Sequence, residues 1–211
     1  MKFEIKNLTK KFKNTIVIDN VNVTFDSGKI YGIIGKNGSG KSVFLKILCS
    51  FYVPTSGYIL QDNYDYIKNN SFPKNTRALI EKPDFISELT GFENLKLLAS
   101  IQNRINDSDI EKTLKDVNLF EEKDKKYCQY SLGMKQKLGI AQVLMENPDV
   151  LILDEPFNGI EEESVRKIKK ILKEEKKKGK LIIITSHIKE DVVELSDEIF
   201  LFKEGTLKRQ K

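Results

Sequence analysis

The stretch Gly35-Lys36-Asn37-Gly38-Ser39-Gly40-Lys41-Ser42-Val43 decides how this chain is read. Its glycines let a backbone curl until several N–H groups point at one anion, which then sits at the positive end of the helix that follows. Lys41 is placed to neutralise β- and γ-phosphate oxygens, and the hydroxyl of Ser42 to ligate Mg2+. The flanks agree with this reading. Ile30-Tyr31-Gly32-Ile33-Ile34 has the apolar character of a strand, and Val43, Phe44, Leu45, Ile47 and Leu48 supply the buried face of a helix. Strand, glycine-rich turn and helix in that order form a P-loop, so the first expectation is a site for ATP and Mg2+.

Further along, Val150-Leu151-Ile152-Leu153-Asp154-Glu155-Pro156 is an apolar run that delivers acids to its carboxyl end. Ligand sites of open α/β sheets lie at that end of the strands. Asp154 is expected in the Mg2+ shell, and Glu155 is expected to orient or deprotonate the attacking water. A solvated sheet edge ending in acids is the bland alternative, and the P-loop decides against it.

The composition sets bounds on everything else. The 211 residues are 39% hydrophobic and 32% charged, which is the make-up of a soluble globular chain. The net charge of +5, from 36 basic and 31 acidic side chains, is a mild bias that calls for no nucleic acid. Met1 to Lys6 alternates apolar and charged residues and lacks the apolar core of a signal peptide. Runs such as Leu181-Ile182-Ile183-Ile184 fall short of the roughly 20 residues that span a bilayer, so any membrane role is expected to run through a partner. Cys49 and Cys128 lack metal or redox spacing and read as buried or idle thiols in a reducing cytosol. From Arg166 to Lys180, Val165, Ile168, Ile171 and Leu172 recur between lysines, which predicts an amphipathic helix with a solvated basic face.

Short strands are expected at Phe3 to Leu8, Ile16 to Phe25 and Lys29 to Ile34, with a turn at Asp26-Ser27-Gly28 and another strand after Pro54-Thr55-Ser56-Gly57. From about Asp84 to Asn147 the pattern is helical. Leu95, Leu98, Ile101 and Ile105 share one face, as do Ile110, Leu114 and Val117 after a cap at Asp107 or Ser108. Strands return at Val150 to Leu153 and Leu181 to Thr185, each followed by a helix-like segment, and such alternation builds a parallel sheet covered by helices.

P-loops serve many reactions, and the segment that separates them here is Tyr130-Ser131-Leu132-Gly133-Met134-Lys135-Gln136-Lys137. It resembles the signature motif of ATP-binding cassette (ABC) ATPases. Ser131 is a good helix cap, and Met134, Leu138, Ala141 and Met145 then form one apolar stripe. The resemblance runs from Phe3 to about Leu207 in the family's order. It implies an α/β fold: a P-loop NTPase (RecA-like) core with an antiparallel β subdomain and an inserted α-helical subdomain. The core is then 1–83 with 148–211, and 84–147 is the helical subdomain carrying the signature.

The same resemblance implies roles. Phe12 stands where the family stacks a ring on adenine, and His187, the single histidine, matches the residue that contacts the γ-phosphate. Glu81 replaces the usual glutamine, and either joins Ser42 and Asp154 as a metal ligand or is a solvated loop acid. Asn158-Gly159-Ile160-Glu161 resembles the loop through which two subunits communicate, with Glu161 where aspartate is usual. Ser131 and Gly133 face the ATP of a second ATPase chain, a homodimer or close paralogue bound head to tail. Leu132, Met134 and the phrases Leu79-Ile80-Glu81-Lys82-Pro83 and Leu89-Thr90-Gly91-Phe92-Glu93-Asn94-Leu95 are similar to ATPases of bacitracin-resistance and lantibiotic-immunity exporters. The function implied is ATP hydrolysis by Glu155, His187 and Lys41, driving an integral membrane permease from the cytoplasmic face. A soluble ABC-type ATPase of translation, DNA maintenance or cluster assembly is the alternative; it usually carries paired cassettes or a long coiled coil. A catalytically dead member of a heterodimer is disfavoured by Lys41, Asp154, Glu155 and His187.

Overall fold

The computed structural model describes residues 1–210. Strands β1 (Lys2–Phe12), β2 (Thr15–Asp26) and β4 (Ser56–Gln61) form an antiparallel sheet in the order β2-β1-β4. The inward residues of β1 are Phe3, Ile5 and then Leu8, a spacing that a regular strand cannot bury on one face. The register against β2 shifts between Ile5 and Leu8, and Asn7 takes a φ of 49°. This bulge turns Leu8 back into the core. Both strands run past their expected ends because Lys10, Lys11 and Phe12 pair with β2 while carrying little apolar signal.

The second sheet follows the order β5 (Thr76–Leu79), β6 (Val150–Asp154), β7 (Leu181–Ser186), β3 (Ile30–Ile34), β8 (Glu198–Lys203), β9 (Thr206–Arg209). Its first five strands are parallel and β9 returns antiparallel. Every residue of β6 and β7 is buried. Leu151, Leu153, Ile182 and Ile184 face one core, and Val150, Ile152, Leu181 and Ile183 the other. A strand covered on both faces needs apolar side chains at every position, which explains the unbroken runs in the sequence. The second core lies between this sheet, helix α1 (Lys41–Leu48) and the antiparallel sheet; Phe25 packs there edge-on to Tyr31, Phe44 and Phe200.

The first core is shared with the helical segment. Helices α2 (Gly91–Gln102), α3 (Asp107–Asp116) and α4 (Leu132–Leu144) contribute to it, with short 3-10 turns at Phe120–Glu122 and Tyr127–Gln129 between α3 and α4. Thr90 and Asn106 each close a capping box, so the cap of α3 is Asn106 and not Asp107 or Ser108, which lie inside the first turn. The expected face of α2 also needs correction. Leu95 and Ala99 are buried, but Ile101 is 74% exposed, because six residues carry it about 120° round the helix from Leu95. Leu98 packs against the same core, and so does Ile105, beyond the end of the helix at Gln102. The stripe on α4 is as expected, with Leu138, Ala141 and Met145 buried and Met134 packed at the margin.

Helix α5 (Glu162–Lys177) buries Ile168 and Leu172. Its basic face is less free than a solvated face: Lys173 pairs with Glu194 and Lys176 with Asp197, tying α5 to the segment after the short helix α6 (Lys189–Val193). Cys49 is buried, and burial pushes its thiol up to about 12, whereas Cys128 is exposed.

Candidate active site

β3 delivers the glycine-rich loop to the carboxyl end of the parallel sheet, and α1 leaves from it. The loop turns on a hydrogen bond from the Ser39 N–H to the Lys36 carbonyl, 3.2 Å, across Asn37 and Gly38. Gly40 takes a φ of 110°, and a Cβ there would stand 2.8 Å from the Val17 carbonyl oxygen and 2.9 Å from the Phe202 ring. Only glycine meets both demands. Gly40 is also the N-cap of α1 and offers no side chain to its first turn, which contains no acid. The buried hydroxyl of Ser39 has no partner.

Lys41 is buried, and its ammonium donates to the Gly35 carbonyl at 2.7 Å and to the Lys36 carbonyl at 3.3 Å. It stands 3.5 Å from Glu155 Oε1, a carboxylate oxygen with no hydrogen-bond partner. An unpaired buried hydroxyl, a cation on its own loop and an uncapped helix start together fit an anion with several oxygens. Ser42 and Val43 are half-buried in the first turn of α1.

Asp154 ends β6, buried, and accepts from the hydroxyl of Thr185 on the adjacent strand β7. Among the described residues no three His, Cys, Asp or Glu side chains group as a self-sufficient metal site. Mg2+ needs none, since one or two carboxylates with substrate phosphates and water usually suffice; the hard oxygens of Asp154 and Ser42 fit that chemistry.

Glu155 occupies the left-handed region at φ 48°. For a non-glycine residue this costs on the order of 1–3 kcal/mol and persists only when neighbours enforce it. Its N–H donates to the Thr185 carbonyl at 3.2 Å and the Thr185 hydroxyl at 3.1 Å. The bend aims the carboxylate across the strand ends, where Oε2 lies 2.7 Å from His187 Nδ1 and accepts from the His187 N–H at 3.2 Å. Lys41, Glu155 and His187 thus meet, and Asp154 ends the same strand one residue before Glu155.

Other expected residues stand apart. Glu81, at φ 63°, pairs with Lys46 of α1 at 2.5 Å, and this contact holds Lys46 above the ordinary lysine range. Glu81 forms no hydrogen bond or ion pair with Ser42 or Asp154. Phe12 is 39% exposed at the end of β1, edge-on to Tyr52 at 5.5 Å and under the Lys10 ammonium at 4.8 Å, so it is no core phenylalanine. A cavity of about 450 Å³ opens beside the loop, lined by Lys36 to Ser39, by Ile16 and Val17 of β2, and by the end of β8 with the turn at Glu204 and Gly205. Phe12 does not line it. Ser131 caps α4, its hydroxyl accepting from the Met134 N–H at 3.2 Å. Gly133 lies against Gly159, where a Cβ would stand 2.4 Å from the carbonyl oxygen. Neither residue bonds to the loop that starts at Gly35, so within one chain they are not part of the cluster.

Sequence reasoning missed Thr185, Lys46, Tyr52, Ile16 and Val17. It quoted Gln136 within the signature but gave it no role, although the Gln136 side chain donates to the backbone carbonyls of Glu155 and Pro156.

The chain is similar to known proteins. The family model described as ABC transporter matches residues 18–158. An uncharacterized ABC transporter ATP-binding protein of Bacillus subtilis, YybJ, is 44% identical over 97% of this chain and 94% of its own length. The bacitracin transport ATP-binding protein BcrA of Enterococcus faecalis is 39% identical over 97% of this chain and 67% of its own length. A solved structure of an ATP binding subunit of an ABC transporter superposes with a TM-score of 0.89 at 25% identity, covering 100% of this chain and 90% of that one. With the P-loop, the acid-ended strand and the signature helix set in one α/β fold, the chain belongs to the ABC transporter family, and what it supplies is that family's ATP-binding cassette.

Proposed function

We propose that this chain is the ATP-hydrolysing subunit of a membrane exporter whose cargo is a peptide antibiotic or a similar compound. The observation that carries the proposal is the convergence of Lys41, Glu155 and His187 at the mouth of the P-loop. The loop and Lys41 bind the β- and γ-phosphates, and Ser39 supplies the hydroxyl that now lacks a partner. Ser42 and Asp154 hold Mg2+, which when bound neutralises charge on the phosphates. Glu81 reaches it only by leaving Lys46. Glu155 takes the proton of the attacking water as the new oxygen–phosphorus bond forms and the bridging oxygen departs with ADP. His187 holds that carboxylate in place and faces the γ-phosphate.

Ser131 and Gly133 lie outside this cluster, which supports a site shared head to tail with a second ATPase chain. In this reading 84–147 is the helical body that turns against a core of 1–83 and 148–211. Among the described residues no helix is long and apolar enough to cross a membrane. In this reading the chain works at the cytoplasmic face through an integral membrane permease. The name of the bacitracin transport relative supports a compound of that kind as cargo. Glu155→Gln is expected to bind ATP but to lose about 10² to 10⁴ in turnover. Purified with ATP from native cells, that variant is expected to bring down a polytopic membrane protein. Retention of normal turnover overturns the catalytic assignment, and recovery of ribosomes or DNA instead overturns the transport assignment.

A further inference from the structure

We infer that Gln136 is a positioning residue for Glu155, fixing the backbone from which the catalytic carboxylate springs. The inference rests on the reading of Glu155 given above. Gln136 sits in α4 and is only 6% exposed. Its Nε2 donates to the Glu155 carbonyl at 3.1 Å and to the Pro156 carbonyl at 3.2 Å. A primary amide carries two N–H bonds, and here they meet two successive carbonyls.

The peptide groups on either side of Glu155 are therefore held by different elements. Its N–H is claimed by Thr185 of β7, and its carbonyl by Gln136 of α4. Between these clamps Glu155 keeps its left-handed φ of 48°, and its side chain points at His187 and Lys41 instead of following the strand. Take away the amide of Gln136 and two carbonyls lose a donor at the strained residue, which frees Glu155 to relax toward ordinary backbone angles. The carboxylate then leaves its place beside His187.

The hold on this segment continues along the same helix. Lys137, 6% exposed, donates to Glu161 Oε1 at 2.8 Å and to the Asn118 carbonyl at 3.1 Å. Gly133 lets the Gly159 carbonyl approach where any side chain would collide. α4 thus grips residues 155–161 at three points, and its N-cap is Ser131. A displacement of Ser131 along with its helix either stretches these bonds or carries Glu155 with it.

The test compares kcat and KM for ATP in the 211-residue chain carrying Gln136→Met or Gln136→Asn, each alone and combined with Glu155→Gln. Methionine keeps the length without donors, and asparagine keeps the amide but is one methylene too short. Each single variant is expected to lower kcat about 10- to 100-fold with KM for ATP changed by less than about twofold, the pattern of a misplaced catalytic group. On the Glu155→Gln background the same changes are expected to cost less than about twofold more, because Gln136 acts through the carboxylate already removed. The proposal falls if kcat stays within about twofold of the parent, or if the loss persists at full size without Glu155. Failure of both variants to fold, read by circular dichroism, also overturns it by assigning Gln136 to stability. Normal turnover by Glu155→Gln alone is a different result, and it removes the catalytic reading itself.

Discussion

Helices α1 and α4 both begin at glycine-containing motifs, yet their first turns are completed differently. α1 starts at Gly40 with no side-chain cap, while the hydroxyl of Ser39 beside it is buried and unpartnered. α4 starts at Ser131, whose hydroxyl already accepts the Met134 N–H, and α2 and α3 are likewise closed by Thr90 and Asn106. An uncapped helix start keeps its N–H groups and its partial positive charge available, whereas a serine cap satisfies one of them internally. In the function proposed above, the difference separates a fixed anion site from a helix end that is stable alone and meets its ligand only when a second chain arrives.

The sharpest way to break this comparison is to give α1 a side chain where it has none. Gly40→Ala places a Cβ against the Val17 carbonyl and the Phe202 ring at a φ of 110°. We expect a loss of about 3 kcal/mol in denaturant unfolding, together with loss of ATP binding in a fluorescent-nucleotide titration. An alanine variant that binds ATP normally removes the argument for an open helix start.

At α4 the expected effects divide. Ser131→Ala should cost about 1 kcal/mol of stability, the usual value of an N-cap. In the assembled transporter it should lower ATP turnover about 100-fold, as for removal of one hydrogen-bond donor to a developing charge. ATP affinity of the isolated chain should stay as it was. If that affinity falls with the turnover, Ser131 serves its own chain's nucleotide and the contrast between the helices disappears.

The smallest effect concerns how α4 is anchored. Lys137, followed by Ser164, holds the Glu161 carboxyl down at about 2 from an ordinary 4.5. A lowered carboxylate stabilises the folded chain fully above its unfolded value and loses that contribution as the pH falls toward the folded one. The stability gap between the parent and Glu161→Gln should thus be constant above about pH 4.5 and shrink below it. Because the Glu161 side chain is 54% exposed, we expect a gap under about 1 kcal/mol. Chemical denaturation at pH 7 and pH 4 measures it, and a gap that widens on acidification contradicts the ion pair.

What could be read from the sequence follows from how local each feature is. The apolar runs at Val150 to Leu153 and Leu181 to Thr185 announced buried parallel strands, because burial on both faces leaves its record in every residue. The cap at Ser131 was legible because the serine and the helix it starts adjoin. The cap of α3 was misplaced since Asn106, Asp107 and Ser108 all suit that position, and only the backbone angles decide among them. Ile101 is one turn from Leu98 but six residues from Leu95, which carries it about 120° round the helix from the buried face. In the site, Lys41, Asp154, Glu155 and His187 lie on short motifs and could be named in advance. Thr185 could not, as its bonds to Asp154 and Glu155 depend on β7 lying beside β6. Lys46 and Gln136 were hidden for the same reason: their partners are remote in sequence and meet them only through packing.

The unequal cysteines give the molecule a chemical asymmetry. Thiol reagents attack the thiolate, and Cys49 is both buried and held at about 12, so at neutral pH it is sheltered twice over. Cys128 is exposed in the last turn before the signature helix, its N–H bonded to the Ser87 carbonyl. The natural chain thus behaves as a protein with one addressable thiol, set just before the signature helix. A spectroscopic label can be attached there without altering any other residue.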